Sequence, residues 1–310
     1  MNYGLPYMGS KNAIVADVCE VFPPATHFYD LFCGGCSITH FLMRRHRFQQ
    51  FHINDITDTP TLFADAVNGL YNNETRWISR ADFFALKDTD PYVRYCWSFG
   101  NNGEDYMYSR ECEPWKRALH YAYVFKDYAP MREFGITDEP LTYHKIQRDE
   151  AKYKELYVAW YRRCVAATGG DAENLKTIES LQRLQSLQSL QRLQSLQSLQ
   201  SLQRLQSTIG DYQAVPIVAD SVIYCDIPYR GTVEYVDGGF DYERFYDWAC
   251  RQSVPVFISE YDMPRDRFEC IKEIRKRCCL SATNNSRVTT ERIFIPKGQK
   301  LYHARQLSLF

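Results

Sequence analysis

The fold of this chain follows from the stretch FYDLFCGGCS, residues 28–37. Apolar and aromatic residues over positions 26–32 predict a short buried strand, and Gly34 and Gly35 predict a tight turn after it. Ser37 is a residue type that caps helices, so a helix is expected from there to residue 43. A strand, a glycine turn and a helix in this order are typical of an α/β sheet whose backbone approaches a ligand closely.

The neighbouring segments extend this α/β pattern. Residues 11–21 carry apolar positions at helical spacing, and Pro23-Pro24 stops that helix. Residues 51–54 predict the next strand, which ends at Asp55, where an acid can accept hydrogen bonds from ribose hydroxyls. The glycine turn and this acid together indicate a nucleoside cofactor. The turn is not G-x-G-x-x-G, so a dinucleotide is only weakly supported, and residues 9–11 are not a phosphate-binding loop.

The C-terminal part of the chain returns to alternating strands and helices. Residues 221–225, 254–259 and 292–295 predict strands, whereas residues 242–252 and 266–277 predict helices. Alternation of this kind predicts a mostly parallel sheet with helices on both of its faces.

The middle of the chain lacks alternating strands and is predicted to be a mostly helical insertion. Within it, residues 145–167 predict a charged amphipathic helix. We therefore expect three segments, residues 1–58, 59–207 and 208–310, of which the first and the last form one α/β domain.

A low-complexity repeat ends the predicted insertion. Residues 181–207 are nine consecutive triplets, Leu-Gln-Ser or Leu-Gln-Arg, which predict a helix about 40 Å long. A period of three rotates each leucine by about 60° from the last, so the leucines wind around the helix and form no straight packing face. One interpretation is a self-association or spacer element. The other, which we favour, is a repeat that grew by slippage in the coding DNA and is tolerated.

Composition and charge are those of an ordinary soluble globular protein. The 310 residues are 45% hydrophobic and 24% charged, with a formal net charge of −1. A small DNA-binding module would be strongly basic, but nucleic acid is not excluded as a partner, because a large enzyme can concentrate positive charge locally. No signal sequence and no stretch long enough to cross a bilayer is visible, so we expect no membrane association and a cytoplasmic location.

The eleven cysteines are scattered without regular spacing and are expected to be free, buried thiols. Cys33 and Cys36 have the C-x-x-C spacing of a redox pair or of half a zinc site. No second pair follows at suitable spacing, so we expect no metal site.

The segment Asp226-Ile227-Pro228-Tyr229 follows the predicted strand at 221–225 directly. Ligands of open α/β sheets bind beyond the carboxyl ends of the strands. A flipped-out base needs acceptors for its amine and a surface for its ring. Asp226 and the carbonyl of Ile227 can accept from the amine, and Tyr229 can stack on the ring. The segment becomes specific only in combination with the glycine turn upstream.

These motifs, in this order, resemble the Dam-type (D12 class) DNA adenine N6-methyltransferases, and a phage-type member in particular. The matching segments lie in the first and last parts of the chain, at residues 6–11, 30–35, 54–55, 210–212, 224–229 and 257–261. Residues 98–103 resemble a loop of phage-type members and fall where the family keeps its target-recognition domain.

The resemblance implies a fold, a reaction and a set of site residues. The fold is α/β, a Rossmann-like S-adenosylmethionine-dependent methyltransferase fold with an inserted, mostly helical target-recognition domain. The reaction is site-specific methyl transfer to adenine N6 in double-stranded DNA, as in restriction–modification. The implied catalytic residues are Asp226, Ile227, Pro228 and Tyr229. The implied cofactor-binding residues are Tyr7, Lys11, Asp30, Phe32, Gly34, Gly35, Asp55, Asp211 and Tyr212, and the implied DNA contacts are Asn101, Asn102 and Arg110.

Two positions depart from the family pattern. Ile227 stands where the family has a proline; it retains the backbone carbonyl but gives up rigidity. Cys36 stands in the glycine loop where the family often has glycine.

Other functions stay open from the sequence. The same acid-x-Pro-aromatic motif serves methylation of cytosine N4 or of RNA. A catalytically impaired DNA-binding or assembly protein would retain the fold and use the 181–207 repeat as its interface. A thiol oxidoreductase would need Cys33 as a reactive thiolate.

Overall fold

The computed structural model describes residues 2–110, 113–127, 129–132, 185–200, 204–230, 239–278 and 287–299. The chain divides into two compact units, Met1–Asn72 with Arg192–Phe310, and Asn73–Gln191. The domain boundaries expected after residues 58 and 207 stay a prediction, and the helix expected at 145–167 lies outside the described residues.

In the described part of the first unit, seven strands form one sheet. They are β1 (His27–Asp30), β2 (Gln50–Asp55), β3 (Arg204–Ile209), β4 (Ser221–Cys225), β5 (Val256–Glu260), β6 (Phe268–Cys278) and β7 (Arg287–Pro296). Their order across the sheet is β3-β2-β1-β4-β5-β7-β6. The first five are parallel, and β7 pairs antiparallel with both β5 and β6. The α/β class and the mostly parallel sheet are confirmed.

The strand order reverses between β1 and β4, which are neighbours although they are far apart along the chain. Chain connections leave these two strands toward opposite sides of the sheet, so a crevice opens at their carboxyl ends. This crevice lies where Asp30 ends β1 and where Asp226 follows β4.

The described helices are α1 (Val15–Cys19), α2 (Ser37–Met43), α3 (Thr59–Val67), α4 (Arg80–Leu86), α5 (Pro91–Cys96), α6 (Glu113–His120), α7 (Ala129–Arg132), α8 (Gln185–Leu196) and α9 (Tyr242–Cys250). Lys11–Ala13 forms a 3₁₀ turn before α1, so the helix expected at 11–21 is shorter and interrupted. Cys36, not Ser37, is the N-cap of α2, and Ser37 is its first residue.

Both faces of the sheet are buried at the central strands β1, β4 and β5. On one face, the ring of Phe22 contacts the rings of Phe28, Tyr224 and Phe257. On the other face, a core cluster joins residues of β1, β4 and β5 with residues of α9.

The predicted helix at 266–277 is wrong, because these residues form most of β6. A register shift between Cys270 and Lys272 interrupts the strand's alternation, so Phe268, Ile271 and Ile274 fall at spacings of three. That spacing imitates a helical face. Pairing with β7 along nearly its whole length satisfies the backbone of β6 and overrides the helix propensity of its lysines and glutamates.

The predicted single helix over 181–207 is also wrong in its second half. Helix α8 ends at Leu196, Gln197–Leu199 continues as a 3₁₀ turn, and the last residues of the repeat belong to edge strand β3. Leu193, Leu196 and Leu199 are fully buried, contrary to the expected winding stripe. Leu193 and Leu196 lie in α8 one triplet apart, so a rotation of about 60° leaves both on the same side of the helix. Leu199 lies in the 3₁₀ turn, which has three residues per turn and keeps leucines of this spacing on one face.

The described part of the second unit contains α4 to α7 around an aromatic cluster. Trp77 stacks on Tyr108 and meets Trp97 edge to face. Ser79 and Asp82 form a capping box at the start of α4, and Asp90 caps α5. The assignment of this unit as a target-recognition domain stays a prediction.

Candidate active site

The glycine turn after β1 is held in place by Asp55 at the end of β2. Asp55 Oδ2 accepts a hydrogen bond from the amide of Gly34 at 2.8 Å, and Oδ1 accepts from the amide and the hydroxyl of Thr57 at 3.0 and 2.9 Å. Burial raises the pKa of Asp55, and these hydrogen bonds oppose that rise. The predicted ribose acceptor therefore also fixes the loop.

The two glycines of this turn are required by the close approach of Tyr7. A Cβ atom on Gly35 would lie 2.6 Å from Cβ of Tyr7, and one on Gly34 would lie 3.0 Å from Cε1 of Tyr7. Gly34 also has a positive φ of 44°. The N-terminal element and the glycine turn thus form one packed surface, as the sequence resemblance implied.

Cys36 adopts φ 56°, a left-handed conformation that favours glycine. This explains why the family often has glycine there. Burial raises the pKa of Cys36, and raises that of Cys33 well above its usual range. A thiol oxidoreductase needs a lowered thiol pKa, so these values argue against that alternative.

Asp30 is a buried carboxylate at the end of β1, with 1% of its surface exposed. Its Oδ2 accepts a hydrogen bond from the hydroxyl of Thr39 at 2.7 Å. Among the described residues, Oδ1 has no hydrogen-bond partner. Burial raises the pKa of Asp30 to about 7. A buried carboxylate oxygen without a partner is suited to a donor from a ligand.

A small cavity, ≈ 30 Å³, lies at the carboxyl ends of β1 and β4. Seven of the sequence-predicted site residues line it, namely Tyr7, Lys11, Asp30, Phe32, Gly34, Gly35 and Asp226. The structure thereby brings together the N-terminal element, the glycine turn and the acid after β4.

The segment 226–229 is anchored at each of its last three residues. The side chain of Ile227 is buried in the core cluster on one face of the sheet. The carbonyl of Pro228 accepts a hydrogen bond from the hydroxyl of Tyr242 at 3.0 Å. The hydroxyl of Tyr229 donates to Glu291 on β7. These contacts fix the backbone that carries Asp226.

Lys11 lies between two carboxylates and is itself buried. Its Nζ is 2.7 Å from Oδ1 of Asp226 and 3.5 Å from Oε1 of Glu291, and it lies 4.7 Å from the ring centroid of Tyr229. Burial alone would lower the pKa of Lys11, but Asp226 and Glu291 outweigh it and the pKa rises. Lys11 therefore remains an ammonium ion.

Two buried glutamates of the site were missed by the sequence reasoning. Burial raises the pKa of Glu291 to about 7 against the lowering effect of Lys11. Burial also raises the pKa of Glu260, at the end of β5, to about 7. Glu260 accepts from the amides of Tyr261 and Arg230, at 2.6 and 3.2 Å. Position at a strand end could have indicated Glu260; no sequence signal indicated Glu291.

Asp211 and Tyr212 have structural partners in the first unit. Asp211 caps the 3₁₀ turn Tyr212–Ala214 and pairs with Arg244 at 2.6 Å. The ring of Tyr212 contacts those of Phe32 and Trp248. Because Phe32 also lines the cavity, Tyr212 supports one of its walls.

In the second unit, the loop predicted to contact DNA is held by its own asparagines. Asn101 Nδ2 donates to the carbonyl of Tyr95 at 2.7 Å, and Asn102 Oδ1 accepts from the amides of Glu104 and Asp105. Both side chains are therefore used within the unit. Phe99 is 65% exposed on this loop, and Arg110 is exposed.

The described residues contain no group of three or more His, Cys, Asp or Glu side chains that could hold a metal ion. No described helix combines the length and the apolar character needed to cross a membrane.

Comparison with known proteins places the chain in a family. Its structure is similar to the rRNA methyltransferase aviRa from Streptomyces viridochromogenes, with a TM-score of 0.34 and 11% sequence identity over 91% of this chain and 82% of that chain. No curated protein matches the sequence. The family model of the D12 class N6 adenine-specific DNA methyltransferases matches residues 7–247. Since this match covers more than half of the chain, the chain belongs to the D12 class N6 adenine-specific DNA methyltransferase family.

Proposed function

We propose that this enzyme methylates N6 of adenine at a specific sequence in double-stranded DNA, with S-adenosylmethionine as methyl donor, and that it works in the cytoplasm. Membership of the D12 class makes it an adenine-specific DNA methyltransferase. The observation that carries the proposed site is the single cavity that joins Asp30, the glycine turn and Asp226 at the point where the strand order reverses.

Residues that line the cavity, together with Asp55, which is not among the lining residues, carry polar groups of the kinds that the proposed cofactor needs. The buried Oδ1 of Asp30 offers an acceptor for an ammonium group, and Asp55 presents a carboxylate beside the glycine turn for a ribose diol. Tyr7, Phe32, Gly34 and Gly35 supply aromatic and backbone surface around them. Bound S-adenosylmethionine would supply an electrophilic sulfonium methyl group.

The residues after β4 would bind and orient the target amine. Asp226 and the carbonyl of Ile227 accept hydrogen bonds from N6, which places its lone pair toward the methyl group and raises its electron density. Tyr229 provides the stacking surface for the flipped-out base. The N6 nitrogen would form the new N–C bond as the bond between methyl and sulfur breaks, the donor would leave as a neutral thioether, and the extra amine proton would pass to solvent, so no enzyme nucleophile is required.

The variant Asp226→Ala tests this assignment. We expect it to abolish methylation while cofactor binding, measured by calorimetry, largely persists, because the amine loses its acceptor and the glycine turn remains. Asp266→Ala removes an exposed aspartate and serves as the matched control. Equal loss of methylation and cofactor binding in Asp226→Ala would contradict the assigned role.

Mapping modified bases decides the substrate. The protein is expressed in a host that lacks adenine methylation, and the modified bases are located by single-molecule sequencing and by nucleoside mass spectrometry of DNA and RNA. N6-methyladenine in a defined DNA sequence supports the proposal. Methylated cytosine, or methylation of RNA only, would replace it, and failure to bind S-adenosylmethionine would favour a catalytically impaired binding protein.

Two finer points belong to the same proposal. Residues 98–103 resemble a loop of phage-type members, which supports the proposal that this chain is such a member and that its second unit contacts DNA. Self-association through residues 181–207 stays a prediction, which the molar mass in solution measures directly.

A further inference from the structure

Glu291 is a fully buried carboxylate in the middle of β7, with none of its surface exposed. It lies opposite Ile274 of β6 in the sheet. The charged and titratable groups around it include Lys11, Asp226, Tyr224 and Tyr229. A buried carboxylate needs hydrogen bonds and an opposite charge to be tolerated, and Tyr229 and Lys11 supply one each.

The contacts of Lys11 create a conflict with the proposed reaction. The Nζ atom of Lys11 forms an ion pair with Oδ1 of Asp226, at 2.7 Å. Asp226 is the carboxylate that is proposed to accept a hydrogen bond from the target amine. A carboxylate can accept several hydrogen bonds, but the amine competes with Lys11 for Oδ1, and both oxygens of Asp226 become available only when Lys11 withdraws. A buried ammonium without a counter-ion is strongly destabilised, so Lys11 can withdraw only toward a second carboxylate.

Glu291 is that second carboxylate. Its Oε1 is already 3.5 Å from Nζ of Lys11, so a small movement of the lysine exchanges one partner for the other. The same glutamate accepts the hydroxyl of Tyr229, whose ring lies 4.7 Å from Nζ. Glu291 is thus in contact with Lys11 and with Tyr229, the two side chains that have to be positioned when the base enters the site.

We infer that Glu291 is a positioning residue for methyl transfer: it takes Lys11 over from Asp226 when the target amine binds, and it holds the ring of Tyr229 in the stacking position. This inference rests on the proposed function of Asp226 and Tyr229. It assigns Glu291 no contact with the reacting atoms, because its effect passes through Lys11 and Tyr229.

The first test is the variant Glu291→Gln, which keeps an acceptor for Tyr229 but removes the charge that holds Lys11. Single-turnover methylation is measured with saturating S-adenosylmethionine and DNA from a host without adenine methylation. We expect the rate to fall by about ten- to a hundredfold, the range for lost positioning, with cofactor affinity unchanged by calorimetry. Glu269→Gln, an exposed glutamate on β6, is the matched control and should behave as wild type.

The second test separates exchange of Lys11 from a merely structural role. In Glu291→Gln, Asp226 is the one ion-pair partner that Lys11 keeps among the described residues, so removing the charge of Lys11 should free Asp226 again. The double variant Lys11→Met/Glu291→Gln is therefore expected to methylate faster than Glu291→Gln alone. Because Lys11 is also a predicted cofactor contact, the rate of each variant is measured at an S-adenosylmethionine concentration that saturates that variant. A structural role predicts that the second substitution adds to the loss.

The outcomes are distinguishable. If wild type methylates adenine and Glu291→Gln matches it, or if the double variant is as slow as Glu291→Gln or slower, the inference about Glu291 is overturned. If wild type itself transfers no methyl group to DNA, the proposed function fails first. Thermal unfolding of each variant identifies a folding defect. If Glu291→Gln has one, the methylation rates of Glu291→Gln and of the double variant are compared per folded molecule, and this comparison still tests the inference.

Discussion

Asp30 shows how a single residue links stability to ligand binding. Its carboxylate is buried at the end of β1, one oxygen is hydrogen-bonded to Thr39, and the other has no partner among the described residues. Burial raises its pKa to about 7, from an ordinary value of 3.8. Above that pH the folded protein holds a buried charge that only a bound donor would compensate. The buried carboxylate of Asp30 therefore lowers the free energy of unfolding while it provides an acceptor for a ligand.

The variant Asp30→Asn tests this relation through pH. Between the two pKa values the native state binds more protons than the unfolded chain, so the contribution of Asp30 to the free energy of unfolding falls as pH rises from about 4 to about 7. Asparagine cannot ionise, so the stability of the variant relative to wild type should increase over this window, by about 1.4 kcal/mol for each unit of pKa shift. Urea unfolding at several pH values measures it, and a difference independent of pH would contradict the raised pKa.

Ile227 explains how the site tolerates the departure from the family's proline. Its side chain is buried in the core cluster, 1% exposed, and the carbonyl of the next residue is held by the hydroxyl of Tyr242. Packing and a hydrogen bond thus supply the rigidity that a proline ring would otherwise give to the backbone. We therefore interpret Ile227 as an alternative anchor of the segment.

This interpretation predicts a stability effect. Ile227→Ala should lower the free energy of unfolding by about 2–5 kcal/mol, and Ile227→Val by about 0.5–1.5 kcal/mol, because both leave a cavity in the core. Ile56→Ala is the matched control, since Ile56 is 60% exposed and should change stability by less than about 0.5 kcal/mol. Chemical denaturation measures all three. Equal effects of Ile56→Ala and Ile227→Ala would show that position 227 does not anchor the segment.

For single residues, the sequence predicts which acids and glycines of the site lie at strand ends. It does not predict side chains that a strand distant in the sequence brings into the site. Asp30, Gly34, Gly35 and Asp226 fall in one cavity as expected, because strand ends of a parallel sheet share an edge. Glu291 escapes prediction, because a glutamate between Thr290 and Arg292 reads as a solvent-exposed strand residue. Only the pairing of β7 between β5 and β6 buries it.

Among the elements, β6 shows where periodicity misleads. The register shift between Cys270 and Lys272 turns an alternating strand into an apparent three-residue period. A sequence pattern cannot reveal that shift, because it is defined by the partner strand β7. Helix α2 was predicted with its observed end at Met43, but its N-cap is Cys36 and not the predicted Ser37.

The leucine–glutamine repeat is integrated into the first unit. Gln194 Nε2 donates to the carbonyls of Tyr71 and Asn72, at 3.2 and 3.1 Å. Arg192 donates to the carbonyls of Gly4 and Tyr3, at 2.8 and 2.5 Å. A Cβ atom on Gly4 would lie 2.1 Å from the carbonyl oxygen of Gly35, so the backbone at Gly4 packs directly on the glycine turn. The repeat thus supports the candidate cofactor site, a role that its low complexity did not suggest.

The variant Arg192→Gln tests the role of this element. Loss of the charged donor should lower the free energy of unfolding by about 1.5–3 kcal/mol, the range for hydrogen bonds to charged groups, and should weaken cofactor binding by loosening residues 3–4. Arg204→Gln removes the arginine of another triplet, which is exposed on β3, and is the matched control. Calorimetry and thermal unfolding measure both variants. If the two behave alike, the repeat does not support the site through Arg192.

For the molecule as a whole, the two units carry different chemical groups. The first holds the buried carboxylates Asp30 and Glu291 and the partly exposed carboxylate Asp226, which suit a cofactor and an amine. The second presents an exposed Phe99 on a loop fixed by Gly100 and Asn101, both at positive φ, and an exposed Arg110. The net charge of −1 gives no general attraction to DNA, so local groups have to supply the affinity.

This division predicts that DNA binding and cofactor binding can be lost separately. Phe99→Ala should weaken DNA binding by about 1–3 kcal/mol, the range for loss of one stacked aromatic ring, because its loop is rigid and the ring is exposed. Arg110→Ala should reduce the slope of log affinity against log salt concentration by about one, as expected for one phosphate contact.

Both variants should bind S-adenosylmethionine as wild type does, since their residues belong to the second unit. Phe84→Ala is the matched control for Phe99→Ala, because Phe84 is a 51% exposed aromatic residue on α4 of the same unit. Fluorescence anisotropy on DNA carrying the mapped recognition sequence, repeated at several salt concentrations, measures affinity and slope. If Phe84→Ala and Phe99→Ala weaken binding equally, the effect is general to exposed aromatic residues, and the loop at 98–103 is not the DNA contact.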